Sequence, residues 1–401
     1  MASDALSSGF QKTTNFVVQE RSILFGVTTS QSLALLGPLP QKMGADGWEV
    51  HLVSGDAATG NDATSHQTNF HVIPMKRNPS PLADCIAIYH WWRLLGKIRP
   101  TVIAVGTPKA ALLGLVAGAA RNVPVRVYVL RGLRLEGSRK LTWAVLYLLE
   151  KITSLNATQV VAVSQSLKKV YLRLRLSGPG KILVIGSGSS HGVNTKKFVP
   201  QIRPQGSIEL NHLKLAKLQG RPILAFVGRF SADKGASTLL VCRKYLRDNG
   251  IDHEFVIMGA SEGEIDTLAA LDQYGRKVTL LGHVKEPSRL YGFFDLLLLP
   301  SKREGFPNVI LEASACGVAV VTSDATGCVD AVVNNKTGLI TPLGDDLAFA
   351  KATRALIEDP ALRKRLGAEG ARWVRNGYDE EEVAKLHAAF YLNLLQKNDP
   401  N

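Results

Sequence analysis

Leu296-Leu297-Leu298-Leu299-Pro300-Ser301-Lys302-Arg303-Glu304-Gly305-Phe306-Pro307-Asn308-Val309-Ile310-Leu311-Glu312-Ala313 reads as strand, loop and helix. Four leucines in a row suit a strand buried on both faces, as in a parallel sheet. Pro300 closes that run. Pro307 suits the first turn of the helix that follows, where its missing N–H costs nothing. Glu304 and Glu312 stand eight positions apart, one at the mouth of the loop and one two turns inside the helix. A loop carboxylate beside the N–H groups of a helix start can hold a ligand with several hydroxyls and an anionic group. A solvated loop glutamate with a helix-capping one is the alternative that the pair alone leaves open.

Working outward, apolar strand-like runs alternate with helical stretches along the whole chain. Ile23 to Val27, Glu49 to Ser54, Thr101 to Val105, Val125 to Leu130, Gln159 to Val163 and Ile182 to Ile185 read as strands. Ile223 to Val227, Glu254 to Met258, Val278 to Leu281, Leu296 to Leu299 and Val318 to Thr322 repeat the pattern. Leu82 to Lys97 and Leu141 to Leu155 read as helices between them. Continuous apolar strands alternating with helices mean buried parallel sheets and an α/β architecture. A chain of 401 residues carries two such units. The polar stretch from Thr195 to Pro222, with Pro200, Pro204 and Pro222, is the join. The expected division is a disordered leader (1–21), two Rossmann-like domains (22–199 and 200–378), and a terminal helix and tail (379–401) that packs back across the join. Open parallel sheets bind ligands at the carboxyl ends of their strands, so two facing sheets place a site in the cleft between domains.

Composition narrows the class. Apolar residues are 45% and charged residues 20%, which is ordinary for globular chains. Cys85, Cys242, Cys316 and Cys328 form no C-x-x-C pair, which fits a reducing compartment rather than a disulfide framework or zinc site. The polar first 21 residues contain no secretory apolar region, and the best membrane-span candidate, Thr101 to Ala120, is broken by Pro108 and Lys109. The formal charge of +14 lies wholly in the first 200 residues, with 23 basic and 9 acidic side chains; the remainder holds 25 of each. Such a field attracts a polyanion or an anionic membrane surface. A merely basic soluble surface is the bland alternative.

Loops after other strands add candidates. Gly228-Arg229-Phe230-Ser231-Ala232-Asp233-Lys234-Gly235 follows Ile223 to Val227. Arg229 offers a planar fork and Lys234 a point charge, so the pair would neutralise a diphosphate; two solvated cations is the alternative. Thr28-Thr29-Ser30-Gln31-Ser32, Gly106-Thr107-Pro108-Lys109 and Leu130-Arg131-Gly132 occupy equivalent places in the first half. Arg131 has no evident partner and precedes a glycine; a surface arginine is the other reading. Gly186-Ser187-Gly188-Ser189-Ser190-His191-Gly192 nearly imitates a dinucleotide fingerprint. His191 stands where the third glycine belongs and no acidic residue follows at the required distance, so it reads as a flexible loop near the cleft. No D-x-D or H-E-x-x-H is present, so a metal-bridged diphosphate has no visible ligand set.

Together these residues resemble the family 4 retaining glycosyltransferases of the GT-B fold, from about Ser22 to Leu395. The pieces run in the family's order: V-G-R-F-S-A-D-K-G, then Gly282-His283-Val284, then P-S-K-R-E-G-F-P-N-V-I-L-E-A with its E-x7-E. The first half looks like the branch that makes bacterial surface polysaccharides, through Gly47-Trp48-Glu49-Val50-His51, Thr107-Pro108-Lys109, Leu130-Arg131-Gly132-Leu133-Arg134 and Gly186 to Ser190.

The resemblance implies that Arg229 and Lys234 bind the donor diphosphate. It implies that Glu304, with Gly305, Phe306, Pro307 and Asn308, holds the donor sugar. Glu312 would take the ribose hydroxyls, Val284 the base, and Ser32, Arg131 and Lys109 the phosphate or acceptor. The expected reaction moves a hexosyl or N-acetylhexosaminyl group from a nucleoside diphosphate sugar, UDP-linked, to a polyprenyl-diphosphate-linked acceptor. It would run with retention through an oxocarbenium-like state, the leaving diphosphate taking the acceptor proton. No metal, cofactor or nucleic acid is expected. The expected location is cytoplasmic, peripheral on the anionic inner face of the cell membrane. The segment Leu141 to Leu155, flanked by Arg139, Lys140 and Lys151, would lie at the interface or be a buried core helix. Two departures stand out. Many members carry His-Gly where this chain has Arg131-Gly132, and an arginine stays protonated and cannot be a base. Thr29 to Ser32 also lacks the usual paired glycine. A UDP-sugar epimerase of the same architecture and a non-catalytic nucleotide-sugar binder are the alternatives.

Overall fold

A computed structural model describes residues 21–57, 68–76, 79–138, 140–201, 208–273, 276 and 278–397. The expected leader, apart from Arg21, lies outside these, as do Arg139 and the centre of the join at 202–207. The described strands form two parallel sheets. The first takes β1 (Ser22–Gly26), β2 (Glu49–Ser54), β3 (Thr68–Val72), β4 (Val102–Gly106), β5 (Val125–Leu130), β6 (Gln159–Ala162) and β7 (Ile182–Leu183), in the order β3-β2-β1-β4-β5-β6-β7. The second takes β8 (Ile223–Val227), β9 (Glu254–Met258), β10 (Thr279–Gly282), β11 (Leu296–Leu299), β12 (Ala319–Ser323) and β13 (Leu339–Thr341), in the order β10-β9-β8-β11-β12-β13.

Central strands β1, β4, β8, β11 and β12 are buried at every position, which is why they read as unbroken apolar runs. Two strands were not anticipated, β3 (Thr-Asn-Phe-His-Val) and the three-residue β13, and both are edge strands. An edge strand is covered on fewer sides, so polar residues such as Asn69 and His71 are tolerated and the apolar signal fades. Each sheet reverses its order once, between β1 and β4 and between β8 and β11. Loops leaving neighbouring strands there diverge and open a crevice at the carboxyl ends.

The last helix, Glu380–Lys397, returns to the first sheet. It packs against the helix Leu39–Ala45, and Tyr391 meets Phe25 edge-on with centroids 5.9 Å apart. The chain enters it through a parallel bridge from Val193 to Asp379, with Glu380 N donating to Val193 O at 3.0 Å. Asp330 from the second half caps the helix Gln165–Arg173 of the first, accepting from Gln165 N at 2.9 Å and Ser166 N at 3.1 Å.

One core carboxyl sets a pH dependence. Burial pushes Glu150 up to about 7, against the pull of the Tyr128 and Tyr171 hydroxyls. Its folded pKa exceeds its unfolded one, so the folded state binds more protons between them and stability falls as pH rises from about 4.5 to 7. Glu150→Gln is expected to abolish that slope and to gain about 2–3 kcal/mol at pH 8. Urea unfolding from pH 5 to 8 checks it; parallel curves for variant and wild type would refute it.

Candidate active site

The loop after β8 and the loop after β11 stand side by side at the second reversal point. Lys234, in a short 3-10 turn, donates through Nζ to Glu304 Oε1, and Ser301 Oγ donates to the same oxygen at 2.8 Å. Gly235 follows at φ 81°, and a Cβ there would stand 2.2 Å from Pro300 O; only glycine lets the two loops approach so closely. Arg229 pairs with Glu262, and Arg303 Nη2 meets Asp233 Oδ2 at 3.2 Å. Burial works to raise the Asp233 pKa, but the Ser231 hydroxyl and the Lys234, Arg303 and Arg229 cations outweigh it and hold it below the carboxylate range. The wall thus carries three cations, each held in place by a local carboxylate.

Glu312 lies on the helix Asn308–Ala315 and accepts from the Tyr291 hydroxyl at 2.6 Å. Burial raises its pKa despite that bond.

The opposite wall comes from the first sheet. Thr107 sits at φ 90°, a conformation that a β-branched side chain rarely adopts. It is held by Thr28, whose N donates to its Oγ1 at 2.9 Å and whose hydroxyl meets its own at 2.8 Å. Ser32 bonds Thr29 through their hydroxyls at 3.0 Å. Lys109 Nζ reaches both oxygens of Asp84, at 2.6 and 2.7 Å. Arg131 is half-buried; its Nη1 donates to Leu35 O at 2.7 Å and its buried Nε has no partner. Burial lowers its pKa to about 10, so it remains a cation at neutral pH. His191 and His387 beside it are pushed down to about 4, by burial first and by Arg131 next, and are neutral.

Both walls bound one cavity of about 1300 Å³. Arg229, Glu312, Val284, Ser32, Arg131 and Lys109 all line it, with Arg134, Arg303, Asp233 and Glu262. Lys234, Glu304 and Gly305 to Asn308 are not among the lining residues, although Asp233 and Arg303, next to Lys234 and Glu304 in the chain, are. Gly305 lies against the Arg131 carbonyl: a Cβ there would be 1.9 Å from that oxygen. Phe306 packs on Tyr378 at 5.4 Å between centroids. Asn308 accepts from Ser189 Oγ at 3.2 Å and donates to Gly192 O at 2.8 Å. The Gly186–Gly192 segment, expected as a flexible loop, is thus pinned between the halves, with Ser189 N also bonded to Val163 O at 2.7 Å. Gly305→Ala is expected to lower kcat/KM by about tenfold, because the Arg131 carbonyl must retreat and the walls shift. Unchanged steady-state kinetics would show that this contact does not set the cleft.

Sequence reasoning missed Arg303, Asp233, Glu262, Arg134 and Asp84. Arg303 and Asp233 each precede a singled-out residue, which was a usable signal. Glu262 and Asp84 had none. Among the described residues no group of three or more His, Cys, Asp or Glu is placed to hold a metal ion, and no helix is long and apolar enough to cross a membrane.

Residues 207–373 match the family described as Glycosyl transferases group 1, and residues 39–191 match Glycosyltransferase Family 4. The capsular polysaccharide biosynthesis glycosyltransferase CapM of Staphylococcus aureus is 33% identical over 386 residues, 95% of this chain and 100% of that protein. N,N'-diacetylbacillosaminyl-diphospho-undecaprenol alpha-1,3-N-acetylgalactosaminyltransferase of Campylobacter jejuni is 29% identical over 76% of this chain and 80% of its own. In fold, the chain is similar to sucrose-phosphate synthase of Thermosynechococcus elongatus, with a TM-score of 0.79 at 20% identity, covering 94% of this chain and 100% of that one. The sequence relatives are transferases, so the epimerase reading is not favoured. Two facing parallel sheets, an E-x7-E loop and helix beside paired cations, and a full-length relative in capsule synthesis place the chain in glycosyltransferase family 4, with the GT-B fold, among the enzymes of surface polysaccharide biosynthesis.

Proposed function

We propose that the chain moves a hexosyl or N-acetylhexosaminyl group from a UDP-linked donor to a polyprenyl-diphosphate-linked sugar, with retention and without a metal, at an anionic membrane surface. The observation that carries this reading is the ring of Arg131, Arg134, Arg229 and Arg303 around one cavity large enough for a nucleotide sugar and its acceptor. Charge builds on the departing diphosphate in the transition state, and preorganised cations stabilise it there. Arg229 and Lys234 take that diphosphate, Glu304 the sugar hydroxyls, Glu312 the ribose and Val284 the base. Arg131 sits where the acceptor arrives from the first half. The Campylobacter relative, which by its name acts on a diphospho-undecaprenol sugar, supports the acceptor class.

The test incubates the protein with UDP-, GDP- and dTDP-sugars and a short polyprenyl-diphosphate sugar, in EDTA. The expected result is stabilisation by a UDP-sugar and transfer with the donor's anomeric configuration kept. Loss of transfer in EDTA would overturn metal independence. Stabilisation without transfer to any acceptor would make the chain a binding protein.

A further inference from the structure

The connections β3 to β4, β4 to β5 and β5 to β6 all step the same way across the first sheet. Right-handed crossovers therefore put their helices, Pro81–Ile98, Pro108–Ala120 and Lys140–Asn156, on one face. The middle helix packs against both others and is largely buried. The two outer helices are not covered outside. Leu82, Ile86, Tyr89 and Trp92 are exposed on the first, Leu82 by 83%. Leu141, Val145, Leu148 and Leu155 are exposed on the second, Leu141 by 80%. Steps of three, four and seven residues put each set on one side of its helix. These two helices hold eight of the eighteen large apolar side chains exposed among the described residues, in two stripes on either side of the middle helix.

The charges on this face have one sign. Arg93, Lys97 and Lys140 are exposed. The only carboxylates on the outer helices are Asp84, bound to Lys109, and Glu150, turned in towards Tyr128 and Tyr171. Tyr89 and Trp92 stack 6.3 Å apart, and the Arg121 guanidinium lies 3.4 Å over the Trp92 ring. Apolar stripes, amphipathic aromatics and unopposed cations are the chemistry of a headgroup boundary. The helices run back along the sheet, so they begin at the cavity end. The Lys109 to Asp84 bond joins two of those beginnings, and Lys109 lines the cavity.

We infer that the outer faces of Pro81–Ile98 and Lys140–Asn156 form a two-helix docking surface for an anionic lipid bilayer, holding the cavity mouth at headgroup level. This rests on the proposed lipid-linked acceptor: its chain stays in the bilayer while its diphosphate sugar passes Lys109 and Arg134 into the cleft. A second copy of this chain would need an opposing charge that this face lacks.

The test pellets the full chain with vesicles of phosphatidylcholine alone or mixed with phosphatidylglycerol, using wild type and Ile86→Glu/Leu148→Glu. Wild type is expected on the anionic vesicles only, and the double variant to bind them at least about tenfold more weakly, having lost two apolar anchors and gained two repelled charges. On a water-soluble short-chain acceptor the variant should keep the wild-type rate, which also shows that it is folded. Equal binding to both vesicle types, or undiminished binding by the variant, would overturn the inference. So would a dimer in sedimentation that the substitutions dissociate, since the face would then be a subunit interface. Vesicle release without transfer to any lipid-linked acceptor would leave the surface standing and remove the acceptor reading alone.

Discussion

Lys234→Ala is expected to lower kcat by about a hundredfold or more while donor affinity falls far less, the loss of one preorganised charge on a departing group costing roughly 3 kcal/mol. Its position fits that division. Lys234 is pinned by Glu304, itself held by Ser301, so its ammonium is fixed before any donor arrives. Arg229, by contrast, is a half-exposed cation paired with a half-exposed Glu262. Surface pairs of that kind contribute little in themselves. Arg229→Ala should therefore act mainly on donor affinity. Glu304→Gln keeps a hydrogen-bond acceptor but removes the charge that holds Lys234, so a loss in kcat is expected there too. Steady-state kinetics with the donor varied separates the three. Near-wild-type turnover in all of them would remove this loop pair from the site.

The core of this geometry was legible because it is local. The buried leucines of β11, Pro300, the glycine-bearing loop and the apolar helix stand consecutively, and periodicity places Glu304 and Glu312 relative to each other without tertiary information. The strands of both sheet centres were equally plain, since burial on both faces leaves nothing but apolar residues. What escaped was long-range. Glu262 meets Arg229 across 33 residues, Lys234 meets Glu304 across 70, and Asn308 meets Ser189 across 119. No spacing rule relates such positions. The Gly186–Gly192 segment looked free because glycine and serine favour loops, and its fixity depends on Asn308 from the other half. The exposed stripes of the outer helices were half visible: Leu141 to Leu155 reads as amphipathic, but whether its apolar side faces core or solvent depends on the neighbouring helices.

Arg131 yields the second large effect, and it has two signs. The side chain is half-buried with its Nε enclosed, crosses Gly106 where a Cβ would stand 2.7 Å from that nitrogen, and donates to the Leu35 carbonyl. Its other close neighbours are His191, His387 and Tyr391, none of which carries a negative charge at neutral pH. Every cation of the opposite wall has a carboxylate; this one has none among the described contacts. A partly desolvated charge without a counter-ion costs the fold stability unless something supplies the anion. Substrate phosphate in the cavity that Arg131 lines is the proposed source. Arg131→Met, which fills similar space without charge, is therefore expected to raise Tm in the substrate-free protein and to lower kcat/KM by about a hundredfold, on the order of 3 kcal/mol. The stabilisation that the donor or acceptor gives to wild type should shrink in the variant, because the anion then finds no buried partner. Thermal unfolding with and without each substrate, beside steady-state kinetics, reads both signs. A variant that is less stable and equally active would assign Arg131 to the fold alone, and the family's His-to-Arg change would then have no part in transfer.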